Sequence, residues 1–402
     1  MQIKALAFLL LGACAVMPGT SNPGGGGDVG PGPGPGPGPG PGPGPNPAGW
    51  TAIPLVDDGN IPRSDSDRVT GIYFTAPDHG YVVTQGAGDS FGNGGAVFDI
   101  AGGAASLAFS GKNGGPTLLG GVDFTGLEQT PSGIVAMAYS ADIVVGTSAG
   151  AFAIEKDGNL EGIEPVLAFR QTAAGATLIR DTGVVSVTTD APGPNAAFTD
   201  VWAPNATEQV PANLPPEMCQ GGPLGTGAPV TRASAFIGNG MIAYTSAPSF
   251  DPQICISTDN GASFYPSFLT VSDDASQFAP TGVLFATPTT GITWWATSSA
   301  RGYIQRTTDA GKTWHEVAMP ASIAAHGLAL DAAFFAPDGK HGWLVGYDHD
   351  TTSALALATT DGGATWAIEA TGLGDVHLYS GFALDATHVW IGGTGGTLLT
   401  HM

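Results

Sequence analysis

Along most of the chain, apolar residues come in short runs of strand length, broken by clusters of Gly, Pro and Asp. Phe74-Thr75-Ala76-Pro77-Asp78-His79-Gly80-Tyr81-Val82-Val83 matches Phe335-Ala336-Pro337-Asp338-Gly339-Lys340-His341-Gly342-Trp343-Leu344-Val345. Each reads as strand, turn, strand, with the small and apolar residues expected of strands buried on both faces. Looser copies run from Phe285 to Trp295 and from Phe382 to Ile391, and weaker ones begin near Ala136, Ala176 and Ala235. The starts, at about 74, 137, 179, 236, 285, 335 and 382, divide residues 50–402 into seven units. At about 50 residues, each unit has room for four short strands. The last unit ends after three, and Trp50-Thr51-Ala52-Ile53-Pro54-Leu55, which copies Trp314 to Pro320, supplies the missing fourth. Such pairing of the two chain ends closes a ring and removes its seam.

A second repeat lies downstream of the first. Ser257-Thr258-Asp259-Asn260-Gly261-Ala262-Ser263-Phe264, Thr307-Thr308-Asp309-Ala310-Gly311-Lys312-Thr313-Trp314 and Thr359-Thr360-Asp361-Gly362-Gly363-Ala364-Thr365-Trp366 align without gaps, their Asp residues 50 and 52 apart. The residue types are those of a hairpin turn. An Asp carboxylate accepts from nearby backbone N–H groups, Gly supplies positive φ, and Ser or Thr hydroxyls add local bonds. The closing Trp or Phe starts the next strand and buries a large apolar face. A residue repeated with a fold element is best explained by that element, so Asp259, Gly261, Phe264, Asp309, Gly311, Trp314, Asp361, Gly363 and Trp366 are read as structural.

These stretches resemble the Asp-box, or BNR repeat, of sialidases, sortilin-type receptors, xyloglucan-cleaving enzymes and the photosystem II assembly-factor family. The resemblance implies an all-β fold, a single β-propeller of seven four-stranded blades with the N-terminal strand closing the last. It implies no single activity. The likeness to the assembly-factor group, carried by the Phe-Pro-Gly-aromatic strand pair before the box, implies a protein client. Sialidase activity would need three arginines, an activated Tyr and an acid; Ile61-Pro62-Arg63 has the residue types of that family's signature in the wrong order. No catalytic residue is assigned.

The 402 residues are 42% hydrophobic, enough for a full core, and 63 Gly with 32 Pro suit short strands and tight turns. Twelve Lys plus Arg against 34 Asp plus Glu leave a net charge of −22, which repels phosphate backbones and argues against nucleic-acid partners.

The N-terminus carries an address. Lys4, an apolar run from Ala5 to Leu11 and small residues before Cys14 make an export signal over residues 1–13. Leu11-Gly12-Ala13-Cys14 resembles the bacterial lipobox, whose Cys is acylated; Ala15 after it resembles the pattern of outer-membrane lipoproteins. Residues 14–49 then form a linker with eight Gly-Pro dipeptides, partly stiffened toward polyproline II and able to reach roughly 85 Å. The domain at 50–402 is expected as a monomer, held by lipid at the cell-surface or periplasmic face of the outer membrane. With Cys14 lipidated, Cys219 and Cys255 remain as a candidate disulfide in an oxidising compartment, two buried thiols being the alternative.

Candidate chemistry is sparse. His79 and His341 occupy one place in two repeats, with His388 near it in a third, and read as turn or packing residues. Trp294 and Trp295 point to opposite faces of a strand, so both pack between blades unless one stacks on a sugar. Asp348-His349-Asp350, in a loop between second and third strands, is the sharpest polar cluster and the binding candidate. Its oxygens could collect Ca²⁺ without reproducing an Asp-x-Asp-x-Asp-Gly loop, and no metal or cofactor is otherwise expected. The long Pro- and Gly-rich stretch from Ala203 to Val230 is a further recognition candidate. Together these point to a non-catalytic binding or assembly scaffold for an envelope protein, with a carbohydrate-binding or carbohydrate-cleaving protein as the alternative.

Overall fold

A computed structural model of the chain describes residues 49–55, 67–86, 95–110, 280–296 and 301–402 continuously and, between 124 and 269, chiefly the strands. Cys14, Cys219 and the stretch from Ala203 to Val230 lie outside the described residues. Those that are described all belong to the unit beginning at Pro45, and every regular element among them is a β-strand. None forms a helix long and apolar enough to cross a membrane.

The strands form seven antiparallel sheets of four, each a meander in which sequence neighbours pair. Blades 1 to 6 start with inner strands Arg68–Ala76, Phe124–Thr130, Val166–Thr172, Ser234–Ile237, Gly282–Phe285 and Leu328–Phe335. Blade 7 is made of Leu378–Ala383, Val389–Gly393, Leu398–His401 and, outermost, Trp50–Ala52. The inner strand of each blade touches that of the next, and blade 7 touches blade 1, so the ring is closed. Trp50 pairs with His401 and Ala52 with Leu399, and Ile53 N–H donates to the Leu398 carbonyl at 2.8 Å. The N-terminal strand therefore completes the last blade. The weaker repeat copies near Ala136 and Ala176 fall within second strands, Gly133–Ala138 and Gly175–Arg180, where the connections Pro131-Ser132-Gly133 and Ala173-Ala174-Gly175 lack the Asp of the Pro-Asp turns elsewhere.

The core lies between blades. Trp295 packs with Ile254, Ile256 and Trp314 between blades 4 and 5, while Trp294 packs with Leu344, Leu357 and Trp366 between blades 5 and 6. Both indoles are buried, at 4% and 0% exposure, so neither offers a face to a sugar. Adjacent residues of one strand thus fill two different interfaces, the period of two that lets a sheet bury both faces.

The third-to-fourth strand turns of blades 4, 5 and 6 share one hydrogen-bond pattern. In blade 5, Thr307 Oγ1 donates to Asp309 Oδ1 and accepts from Gly311 N–H, while Thr313 N–H and Oγ1 donate to the two Asp309 oxygens at 2.9 and 2.7 Å. Blade 4 repeats this through Ser257, Asp259, Gly261 and Ser263, and blade 6 through Thr359, Asp361, Gly363 and Thr365. Gly311 has φ +80°, and a Cβ there would lie 2.3 Å from Ile256 of blade 4, so the turn packs onto the preceding blade as well as reversing the chain. The following aromatics Phe264, Trp314 and Trp366 are buried; Trp314 Nε1 donates to Ser267 of blade 4 at 3.0 Å.

Candidate functional site

Antiparallel alternation places two kinds of connection on each face of the ring. The first-to-second and third-to-fourth strand turns share one face; the second-to-third turns and the links between blades share the other. On the first face the repeated Asp residues are engaged within their own turns. Besides the turns above, His341 Nδ1 pairs with Asp338 at 2.5 Å and His388 Nδ1 with Asp385 at 2.7 Å, each Asp also accepting from N–H groups of its turn. His79 reaches Thr75 and lies 3.3 Å from Asp99.

On the second face the expected cluster at Asp348, His349 and Asp350 is assembled differently from the sequence reading. Asp348 is the last residue of the strand Gly342–Asp348 and is buried, whereas His349 and Asp350 are exposed. Asp348 Oδ1 accepts from Asp350 N–H at 2.9 Å and Thr351 N–H at 3.2 Å, and Oδ2 pairs with His326 Nδ1 at 2.8 Å. Burial acts to raise its pKa, but these bonds prevail and hold the carboxyl below its usual range; the same hydrogen bond raises that of His326. With both oxygens taken by donors, Asp348 is a turn-organising residue rather than an open ligand for Ca²⁺. Among the described residues no group of three or more His, Cys, Asp or Glu could hold a metal ion.

Beside it, side chains from three blades form a stacked column that the sequence did not reveal. Tyr347 of blade 6 stacks on His377, with ring centroids 5.2 Å apart, and touches His349 edge-on. His377 stacks on Tyr379 of blade 7 at 4.3 Å and 14°. The guanidinium of Arg68, first residue of blade 1, sits 4.7 Å from the Tyr379 ring centre. Carboxylates tie the column down: Asp331 Oδ2 lies 2.7 Å from His377 Nε2, and Tyr347 Oη donates to Asp375 at 2.6 Å. That hydrogen bond, with burial and nearby Asp375 and Asp348 charge, raises the Tyr347 pKa. Burial also raises that of Tyr379, Arg68 opposing and Asp331 adding to it.

The column depends on bulges at one place in successive inner strands. Thr70, Asp331 and Tyr379 are the extra residues where pairing skips, between Val69 and Gly71, Leu330 and Ala332, and Leu378 and Ser380. A bulge twists its strand and re-aims a side chain. In this way Asp331 reaches His377 of the next connection, and Tyr379 meets Arg68 of the next blade. Bulge positions follow from pairing between strands, which residue types alone do not show. The signals available were the scarcity of cations, which makes an Arg opening an inner strand conspicuous, and the His377-x-Tyr379 spacing.

The ring of antiparallel four-stranded sheets is a β-propeller, and solved structures share it. No protein-family model matches the chain, and no curated protein matches its sequence. A structure described as YCF48 bound to D1 peptide is 14% identical with TM-score 0.58, covering 88% of this chain and 97% of its own. Virginiamycin B lyase from Staphylococcus aureus is 12% identical with TM-score 0.57, over 87% of this chain and 98% of the lyase. The Niastella koreensis GH74 enzyme is 14% identical with TM-score 0.52, over 83% of this chain and 52% of that one. At such identities the similarity establishes the fold; a peptide binder, a lyase and a glycoside hydrolase share it.

Proposed function

We propose that this protein is an exported, lipid-anchored β-propeller that binds a protein partner on the face carrying the second-to-third strand turns and the links between blades. The observation that carries this reading is the column of Tyr347, His377, Tyr379 and Arg68, which joins three blades at the inner ends of their strands and leaves Arg68 exposed. On the opposite face Asp259, Asp309, Asp338, Asp361 and Asp385 are engaged in their own turns. A propeller of similar fold holding a D1 peptide supports a protein client. The glycan reading draws on the GH74 similarity and on carboxylates meeting an Arg on one face, but Asp331, Asp348 and Asp375 are each bonded to a His or Tyr of the protein. The test is in-envelope crosslinking with mass spectrometry. A reproducible partner crosslinked at or beside His349, Asp375 and Arg68 is the expected result; crosslinks confined to the turns at Asp309 and Asp361 would overturn the assignment of the face.

The anchor rests on Cys14 and the residues before it, with residues 14–49 as spacer to an outer-membrane surface. The odd cysteine count leaves Cys219 to bond Cys255, which is fully buried in the third strand of blade 4. Mass spectrometry of protein extracted from membranes, digested without reduction, is expected to give an acylated peptide starting at Cys14 and a linked Cys219–Cys255 pair. Cys14→Ala should move the protein to the soluble fraction, and unchanged membrane association would rule the anchor out.

A further inference from the structure

From the column we infer that Arg68 is a binding residue for a single carboxylate side chain presented by the polypeptide partner; this rests on the function proposed above and deepens it. Three observations lead there. Among the described residues no carboxylate pairs with the Arg68 guanidinium, although the chain carries 34 Asp plus Glu to 12 Lys plus Arg. Two acidic groups of this face are committed to other side chains, Asp331 to His377 and Asp375 to Tyr347. Finally, Arg68 is exposed at its tip yet placed by the Tyr379 ring beneath it, itself backed by His377 and Tyr347.

An Arg resting on an aromatic face has its planar fork ordered in advance, so less freedom is lost when two N–H groups meet one carboxylate. Charge-assisted bidentate pairs of this kind are among the strongest and most directional hydrogen bonds. Phosphate has the same fork geometry but a higher charge. In a protein of net charge −22, with Asp331, Asp348, Asp350 and Asp375 on the same face, a singly charged carboxylate meets less repulsion than a phosphate dianion. Recognition is therefore short-range, with no long-range attraction to assist it, and selects one carboxylate that reaches Arg68 rather than dense negative charge.

The experiment uses the full chain and follows the Arg68 Hε resonance by NMR at constant ionic strength. The probes are the capped peptide Ac-Gly-Glu-Gly-Glu-Gly-amide, its Gln counterpart and inorganic phosphate. The Glu peptide is expected to shift the resonance saturably and the Gln peptide not to. Arg68→Gln should weaken the Glu peptide about tenfold or more. Arg68→Lys should weaken it by a smaller factor, because it keeps the charge without the fork, and both variants should melt as the parent does. Equal responses to the Glu and Gln peptides, an unchanged affinity in Arg68→Gln, or tighter binding of phosphate would each overturn the carboxylate assignment. A partner that crosslinks to this face with the parent's efficiency in Arg68→Gln would remove Arg68 and leave the proposed face standing; a partner on the opposite face would remove both.

Discussion

At the residue scale, the recurring lesson is how carboxylates are used. Asp309 and Asp361 are held at a pKa of about 2. For Asp309 the hydroxyl and N–H of Thr313 are the leading causes; for Asp361 burial opposes the bonds from Thr365 and Thr359, and the bonds win. A folded-state pKa below the ordinary 3.8 means that the stabilisation is complete above the unfolded value and is lost as pH falls through about 2. Stability is therefore expected to decline from about pH 4 downward. Thr313→Val should raise the Asp309 pKa toward the ordinary value, read by NMR titration of its carboxyl carbon. An unmoved titration would mean that the Thr313 hydroxyl does not set it. The turn role was legible in the residue types, since Thr, Asp, Gly and Thr at those spacings have few other ways to satisfy one another. The fate of Asp348 was not: its carboxylate is engaged by His326, twenty-two positions away.

At the element scale, the strand Trp50–Ala52 is short but well anchored. Trp50 is 3% exposed, lies in the core with Val389, Ile391 and Leu399, and has its ring 5.3 Å from that of His401. Ile53 and Leu55, just after it, join the cluster that holds Val69, Phe74 and Trp390 between blades 7 and 1. Three backbone pairs alone would fray, so side-chain burial is what keeps the ring shut. Trp50→Ala should cost on the order of 3–5 kcal/mol, seen as a lower melting temperature and faster exchange of the Leu398–His401 amides. Stability equal to the parent's would show that closure does not depend on this strand. The pairing itself was readable, because Trp50 to Leu55 copies Trp314 to Pro320. The second and third units were read one strand late, since Pro131-Ser132-Gly133 and Ala173-Ala174-Gly175 lack the Asp that marks the first turn of the clearer blades.

At the scale of the whole molecule, topology relates the first strand to the site. Strand direction alternates across each blade, so Trp50 begins its strand on the face of the Asp309 and Asp361 turns. The described chain therefore enters the ring on the face opposite Arg68 and the stacked column.

Residue types and spacing were enough for the turns, most of the strand repeat and the closure by the first strand, and the resemblance to Asp-box proteins for the propeller. Each rests on local spacing or on similarity between segments, and both survive in a linear string. Only the tertiary structure decided which polar groups meet. Bulges at Thr70, Asp331 and Tyr379 shift side chains across blade boundaries, and Arg68, Tyr347 and His377 become neighbours although up to some three hundred positions separate them. A ring brings its first and last blades together, so the site at that junction belongs to the closed fold and to no single stretch of the chain.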